Sequence, residues 1–330
     1  MKKGDKNVNK VINLLLRILL ALFLVSGLIF FESSKIFIDL IFNAARKGFF
    51  LPLLWIYIGI VLIYSLLYTK IKLWTNEKKV QISIFALAMI PRFIFCVNSI
   101  FIPVDDFKNY LLYGQYMYFG QYKKIADIIA NYNMPKMGGI AIFNGLISSL
   151  FSPQLIGFQI ANCIITSLIC VFIYMISRRM SKEVGLGAAL IFALYPSNII
   201  STQITTNHHA ATLMALIGIV FFLKAMENRE NSKGYLYILF LSIFFTVSNF
   251  IHPSVIIFIL SIFLYLLIFI LNSKPISASS LKELIKRCIS YCLIFITVYS
   301  LLTNISINAF YKIGIIKTKD EIPVLFKVVM

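Results

Sequence analysis

Long apolar runs constrain this chain more than any other feature, because stretches of about 20 apolar residues recur along most of its length. A helix that crosses the hydrocarbon core of a bilayer needs about 20 such residues. The fold class that we expect is therefore an all-α polytopic integral membrane protein. We predict nine membrane-spanning helices, at residues 11–31, 49–68, 81–102, 154–177, 184–203, 209–225, 235–251, 254–272 and 288–308.

The composition excludes a soluble globular protein, since 60% of the residues are apolar and only 13% are charged. We predict an N-terminal two-helix membrane segment at 1–80, a transmembrane core at 81–308 with a large outer loop at 103–138, and an outer tail at 309–330. A further apolar run, 139–151, is too short to cross a bilayer, so we expect it to dip into the membrane or to pack against other helices.

The charge balance indicates how the chain is threaded through the membrane. The chain has 31 Lys and Arg residues against 13 Asp and Glu residues, a net charge of +18. Eighteen basic residues fall in short connections on one side of the predicted spans and eleven on the other side. Cytoplasmic loops of membrane proteins carry the excess of Lys and Arg. We therefore expect a cytoplasmic amino terminus and an extracytoplasmic carboxyl terminus, and no nucleic-acid partner.

The largest outer loop follows the third predicted span and begins with the run from Pro103 to Tyr110. Apolar and aromatic residues recur there at helical spacing, first between Phe107 and Tyr118 and then between Ile125 and Tyr132. Tyrosines concentrate at the depth of the lipid headgroups. We therefore predict two interfacial helices in this loop.

Two adjacent aspartates, Asp105 and Asp106, open the first of these helices, and two interpretations are open. Asp105 could cap the helix while Asp106 complements its positive end. Alternatively, neighbouring carboxylates raise each other's proton affinity, which leaves one of them as a general base for a hydroxyl or amine acceptor.

Histidine and asparagine residues gather at the outer ends of other predicted helices. His208 and His209 begin one span, and Asn249 and His252 end the next. These side chains could be helix caps and interfacial polar groups. They could also serve chemistry, since a neutral imidazole ligates metals and a protonated one stabilises phosphate. A metal site built from both aspartates and both helix-starting histidines would need these segments to lie close together.

Two further features lie within the predicted spans. Arg92 follows a proline about halfway along the third span, where a guanidinium is costly unless it is paired or hydrated. A structural role and a contact with an anionic ligand are both open. The five cysteines all lie in apolar runs without the spacing of a metal or redox motif, so we expect them to be small core residues.

The order of these motifs resembles that of the GT-C superfamily of membrane glycosyltransferases. The run Pro103–Val104–Asp105–Asp106–Phe107, with Tyr110 after it, resembles the first-loop motif of the protein mannosyltransferase and aminoarabinose transferase-like group, family 39, and its bacterial members. Leu194–Tyr195–Pro196–Ser197 and the following Thr-Asn-His-His run are similar to the middle helices of that group. Asn249–Phe250–Ile251–His252–Pro253 is similar to a later segment that often reads Arg-Pro. The resemblance covers roughly residues 80–270.

The resemblance implies a sugar donor on a polyprenyl phosphate carrier, an acceptor on the outer face and a first-loop aspartate as base. Carried over by the spacing to Tyr110, the base position is Asp106, with Asp105 flanking it. Two departures concern His208, where relatives commonly have an acidic residue, and His252, where they often have Arg. The chain also ends before the further spans of typical members, so we expect a truncated or split gene.

We therefore expect an inverting glycosyltransferase that moves a sugar from a polyprenyl-phosphate donor to an extracytoplasmic acceptor, a cell-envelope glycan, lipid or protein. Two alternatives stay open, a transporter or flippase for a lipid-linked substrate and a non-catalytic relative that acts as a partner subunit. No cofactor is required by this reading, and membrane lipids are the other expected partners. The expected catalytic residues are Asp106 and Asp105. The expected substrate-binding residues are Tyr110, Arg92, Lys108, Lys123, Lys124, His208, His209, Asn249 and His252.

Overall fold

The computed structural model describes residues 66–98, 102–131, 137–253, 255–272 and 278–313, together with positions 59 and 63. The predicted span at 11–31, most of the span at 49–68 and the tail beyond residue 313 lie outside the described residues. Within the described ranges the chain forms helices and no strands. The expected all-α membrane architecture is confirmed in that part of the chain.

Residues 66–72 are helical, and the described part of the chain also contains eleven α-helices with both ends described and one short 3-10 turn. They are α1 (Glu77–Asn98), α2 (Asp105–Tyr118), α3 (Tyr122–Asn131), α4 (Met137–Leu150), α5 (Leu155–Ser177), α6 (Lys182–Leu194), α7 (Pro196–Ile200), the 3-10 turn Ser201–Gln203, α8 (His208–Glu227), α9 (Lys233–Ile251), α10 (Val255–Asn272) and α11 (Ala278–Ile313).

Five of these helices, α1, α5, α8, α9 and α11, are long and apolar enough to cross a membrane. Helix α10 is apolar but slightly shorter. The predicted span at 184–203 differs from the observed structure, because it bends by 58° between α6 and α7. The bend falls at Tyr195, whose backbone is extended, immediately before Pro196 at the first position of α7. Proline disfavours a helical conformation in the residue before it, which explains the break.

Ion pairs gather the ends of four helices at one end of the bundle. Arg178 at the end of α5 contacts Glu77 at the start of α1. Arg179 lies 2.7 Å from the Glu227 carboxylate at the end of α8. Glu183 at the start of α6 lies 3.5 Å from Lys72. The sequence places all of these ends on one side of the membrane, and this grouping agrees with that threading.

The main apolar core lies between α8, α9, α10 and α11. Aromatic rings fill it, with Phe245 of α9 edge-on to Phe295 of α11 at a centroid distance of 6.0 Å. Gly218 lets α8 approach this layer, since a Cβ there would lie 2.5 Å from the Phe245 ring. All five cysteines are free thiols. Four are buried, which confirms the expected core position for them, and Cys292 is partly buried against the core of α8 to α11.

Helices α2 and α3 confirm the two helices predicted for the outer loop. The short apolar run at 139–151 forms most of α4, which packs against other helices, one of the two expected placements. Helix α4 packs on α2 through small residues. A Cβ on Gly145 of α4 would lie 2.3 Å from the Met117 side chain of α2. Helix α2 in turn approaches α5, because a Cβ on Gly114 would lie 2.5 Å from the Phe158 ring. These close contacts place α2 firmly on the transmembrane core.

Candidate functional site

The two aspartates occupy the first turn of α2. Val104 is the N-cap residue, with extended backbone and no capping side chain, so the interpretation of Asp105 as the cap is wrong. Asp105 is instead the first helical residue, and its side chain lies outside the described part of the structure. The Asp106 side chain is exposed. A carboxylate in the first turn is favoured by the partial positive charge at a helix amino terminus.

Tyr110 stands one turn after Asp106 and is half-buried. Its ring packs edge-on against Phe107, with the ring centroids 6.4 Å apart. Burial, and to a smaller extent the Asp106 carboxylate, raise the pKa of the Tyr110 phenol above its usual value. The phenol therefore stays protonated at neutral pH and can donate a hydrogen bond. The Asn144 side chain of α4 donates to the Tyr110 carbonyl at 2.9 Å and fixes this turn on α4.

The chain between α7 and α8, residues 201–207, meets the first turn of α2. We call it the 201–207 linker. The Thr205 hydroxyl donates to the Phe107 carbonyl at 2.5 Å, next to Asp106 in the chain. Thr205 is only 3% exposed. The contact joins two segments that the sequence separates by almost a hundred residues.

Polar side chains of α5 hold the linker from the core side. Gln159 donates to the side-chain oxygen of Gln203 at 2.8 Å, and Asn162 donates to the Ile204 carbonyl at 2.7 Å. Both donors are at least 95% buried. Sequence reasoning missed them, although a Gln and an Asn three residues apart inside a predicted span are a usable signal, because polar residues in spans normally serve a specific purpose.

His208 and His252 come together in the structure. Their ring centroids lie 3.9 Å apart, with the ring planes inclined by 47°. His208 begins α8 directly after the linker and is exposed, and His252 follows the last residue of α9. The sequence suggested that these histidines share one compartment, and the geometry brings their imidazoles into contact.

Only one of the two polar side chains directly before α8 accepts a hydrogen bond from the start of that helix. Asn207 occupies the N-cap position, but its side chain makes no capping hydrogen bond. The Thr206 hydroxyl instead accepts from the His208 backbone N–H at 3.3 Å. His209 turns toward the linker, and its Nε2 atom lies 3.4 Å from the Ser201 carbonyl oxygen. The two adjacent histidines therefore face different surroundings.

Arg92 is fully buried, and its guanidinium donates hydrogen bonds to backbone carbonyls. Its Nη1 atom donates to the Ala88 carbonyl at 2.7 Å and to the Ala193 carbonyl at 3.0 Å, while Nη2 reaches the Phe192 carbonyl at 3.5 Å. The last carbonyls of a helix have no partner within that helix. Arg92 thus satisfies the end of α6 at the bend before Pro196, which fits the structural interpretation of this residue.

We call the first turn of α2, the 201–207 linker and the His208–His252 pair the junction. The remaining predicted residues lie on α2, α3 and α9. The Ser248 hydroxyl donates to the Ala211 carbonyl at 2.8 Å and ties α9 to α8 one turn before the His252 region. Asn249 follows Ser248 on α9 and is partly buried. The lysines Lys108, Lys123 and Lys124 are exposed on α2 and α3, and Lys124 lies 5.2 Å above the Tyr116 ring.

The described residues hold no group of three His, Cys, Asp or Glu side chains close enough to bind a metal ion. The aspartate and histidine metal site considered from the sequence therefore has no support in this part of the chain. The junction offers an exposed carboxylate, a protonated phenol and a pair of imidazoles. Those groups suit proton transfer and the binding of a polar or anionic substrate.

Comparison with known proteins gives a match for the part of the chain that contains both histidines of the junction. Residues 139–300 match the family model described as dolichyl-phosphate-mannose-protein mannosyltransferase. The match confirms the resemblance to the GT-C superfamily. It supports a membrane glycosyltransferase of the GT-C type. No curated protein and no solved structure shows significant similarity to the chain.

The matched segment runs from Gly139 in α4 into α11 and includes His208, His209, Asn249 and His252. Asp106 and Arg92 lie before it. The family match and the aspartate motif are thus separate observations, and the Thr205–Phe107 contact links the two parts of the chain.

Proposed function

We propose that this chain transfers a sugar from a polyprenyl-phosphate-linked donor to an extracytoplasmic acceptor, with Asp106 as the general base. The matched family is described by its use of a dolichyl-phosphate-linked mannose, which supports a lipid-linked donor for this chain. The excess of Lys and Arg on the opposite side of the spans supports an outer location for the junction.

In the proposed reaction Asp106 takes the proton from an acceptor hydroxyl as the acceptor oxygen forms its bond to the anomeric carbon. The bond from that carbon to the donor phosphate oxygen breaks, and polyprenyl phosphate leaves with the electron pair. Direct displacement inverts the anomeric configuration. General base catalysis by a positioned carboxylate contributes about 10²- to 10⁴-fold to such a rate.

The observation that carries this proposal is the contact between the first turn of α2 and the 201–207 linker. It sets the exposed Asp106 carboxylate beside the segment that leads into His208, and His208 contacts His252. The first turn of α2, which carries Asp106, is thus joined through the linker to the helix start that carries His208, and His208 contacts His252. We assign stabilisation of the leaving phosphate to Lys108 and the two imidazoles, since Arg92 is engaged with backbone carbonyls.

The test is sugar transfer by membranes that contain the Asp106→Asn variant and are supplied with a polyprenyl-phosphate sugar. We expect at least about a 100-fold loss of rate, because the amide cannot accept the proton. Asp127→Asn is the matched control, since Asp127 is an exposed carboxylate in the same loop, on α3. It should retain the wild-type rate. Full activity in Asp106→Asn would refute the assignment of the base.

A lipid-linked substrate flippase is the second candidate, and the bend between α6 and α7 favours it. Broken helices supported by buried polar side chains are common in transporters, and Arg92 supports this break. Proteoliposomes with a fluorescent polyprenyl-phosphate sugar distinguish the two functions. A flippase moves the intact donor between leaflets without an acceptor, whereas a transferase consumes the donor only when an acceptor is present.

A further inference from the structure

We propose that Thr205 is a positioning residue that sets the geometry of the general base, an inference that rests on the proposed function. It lies in the 201–207 linker, and its hydroxyl donates to the Phe107 carbonyl in the first turn of α2. The carbonyl belongs to the residue that directly follows Asp106. Neither the sequence motifs nor the family comparison assigns a role to Thr205.

The hydrogen bond from Thr205 to the Phe107 carbonyl is placed where it can fix the position of the first turn of α2. Thr205 is 3% exposed, so water does not compete for its hydroxyl. A donor–acceptor distance of 2.5 Å is at the short end for a hydroxyl donor. The contact acts on the first turn, where a helix is held less firmly by its own backbone hydrogen bonds.

The linker is itself held by hydrogen bonds, so it can fix the position of α2. On the core side Gln159 and Asn162 of α5 donate to Gln203 and to the Ile204 carbonyl, the residues directly before Thr205. On the other side the Thr206 hydroxyl accepts from the His208 N–H. A rigid linker that contacts both ends of the junction fixes the base relative to the imidazole pair. Such second-layer support holds reacting groups in productive geometry.

The chemistry depends strongly on that geometry. A displacement of about 1 Å between a base and its substrate can lower a rate by about 100-fold. Loss of the Thr205 hydroxyl should therefore lower kcat while leaving the binding of the distant prenyl chain, and hence KM for the donor, nearly unchanged. A purely structural role would instead lower the amount of folded protein without changing the kcat of the folded fraction.

The experiment compares Thr205→Val and Thr205→Ser with the wild type in purified proteoliposomes. We expect Thr205→Val to lower kcat by about 10- to 100-fold and to change KM for the donor by less than about 3-fold. Thr205→Ser restores the hydroxyl and should recover most of kcat. Thr246→Val is the matched control, since Thr246 is also 3% exposed and its hydroxyl donates only within α9. It should keep the wild-type kcat.

A double-mutant cycle separates this proposal from the proposed function. In an Asp106→Glu background the carboxylate is already displaced, so Thr205→Val should lower kcat by less than about a further 3-fold. A wild-type kcat in Thr205→Val, or an equal loss in both backgrounds, would overturn the positioning role while Asp106 stays the base. Wild-type activity in Asp106→Asn would instead overturn the proposed function. If Thr205→Val is not recovered folded, Thr205→Cys, a weaker donor, replaces it with the same expectations.

Discussion

The approach of α4 to the end of α9 yields the sharpest prediction about stability. A Cβ placed on Gly139 would lie 2.1 Å from the Phe250 carbonyl oxygen, about 1.3 Å short of the 3.4 Å at which ordinary contact begins. The clashing atom is backbone, so no side-chain rotation can relieve it. Gly139→Ala must therefore move α4 or the end of α9. Overpacking of this kind costs about 1–3 kcal/mol.

The same chain provides an opposite control in Gly187 of α6, where a Cβ would meet nothing within 4 Å. Alanine is favoured over glycine in a helix interior by about 0.5–1 kcal/mol. Gly187→Ala should therefore be neutral or stabilising. The two identical substitutions differ only in their surroundings, so their opposite signs isolate the steric contact at Gly139.

The buried free thiols provide the assay, since Cys96, Cys163 and Cys170 react with a thiol-specific dye only after the helices separate. We expect Gly139→Ala to lower the apparent unfolding temperature in detergent by several degrees and Gly187→Ala to leave it unchanged or raise it. Because Phe250 lies two residues before His252, Gly139→Ala should also lower transfer activity. Equal unfolding temperatures for the two variants would refute the described packing of α4 on α9.

Substitutions at two further arginines compare a buried cation with an exposed one. Arg92→Met should lower the yield of folded protein sharply, because it leaves the carbonyls at the end of α6 without a donor in the core, and Arg92→Lys should recover part of that yield. Dye-measured unfolding in detergent checks both variants. A wild-type unfolding temperature in Arg92→Met would contradict the role assigned to the guanidinium. Arg179→Gln should change the free energy of unfolding by less than about 1 kcal/mol in the same assay, because the ion pair between Arg179 and Glu227 is largely exposed to solvent. A larger loss would show that this pair stabilises the protein more than exposed ion pairs usually do.

Local features of the sequence were enough to predict most helices but not the path of every span. Apolar run length indicated α1, α5, α8 and α9 within a few residues, and helical spacing indicated α2 and α3. The bend before Pro196 was not predicted, because the apolar run continues through it. Arg92, which lies about a hundred residues earlier, hydrogen-bonds with a carbonyl at this bend, and the sequence could not show that contact.

The site was predictable as a set of residues but not as an arrangement. Polar residues are rare against an apolar background, which is why Asp106, His208 and His252 stood out. How their helices are arranged depends on the hydrogen bond between Thr205 and the Phe107 carbonyl and on the α5 side chains behind the linker. Gln159 and Asn162 inside a span are a signal of a specific role, but the sequence does not show which residues they contact, and Thr205 carries no local signal of its partner. The family match supports the enzyme class, and the identity of the base stays a prediction.

The central claim is that the junction around Asp106 transfers a sugar from a lipid-linked donor. The most direct measurement follows purified protein in liposomes that contain a radiolabelled polyprenyl-phosphate sugar and an acceptor glycan. The account predicts that free polyprenyl phosphate and labelled acceptor appear in equal amounts, and that Asp106→Asn slows both by at least about 100-fold. Donor that crosses the bilayer intact, or labelled acceptor formed at the wild-type rate by Asp106→Asn, would contradict it.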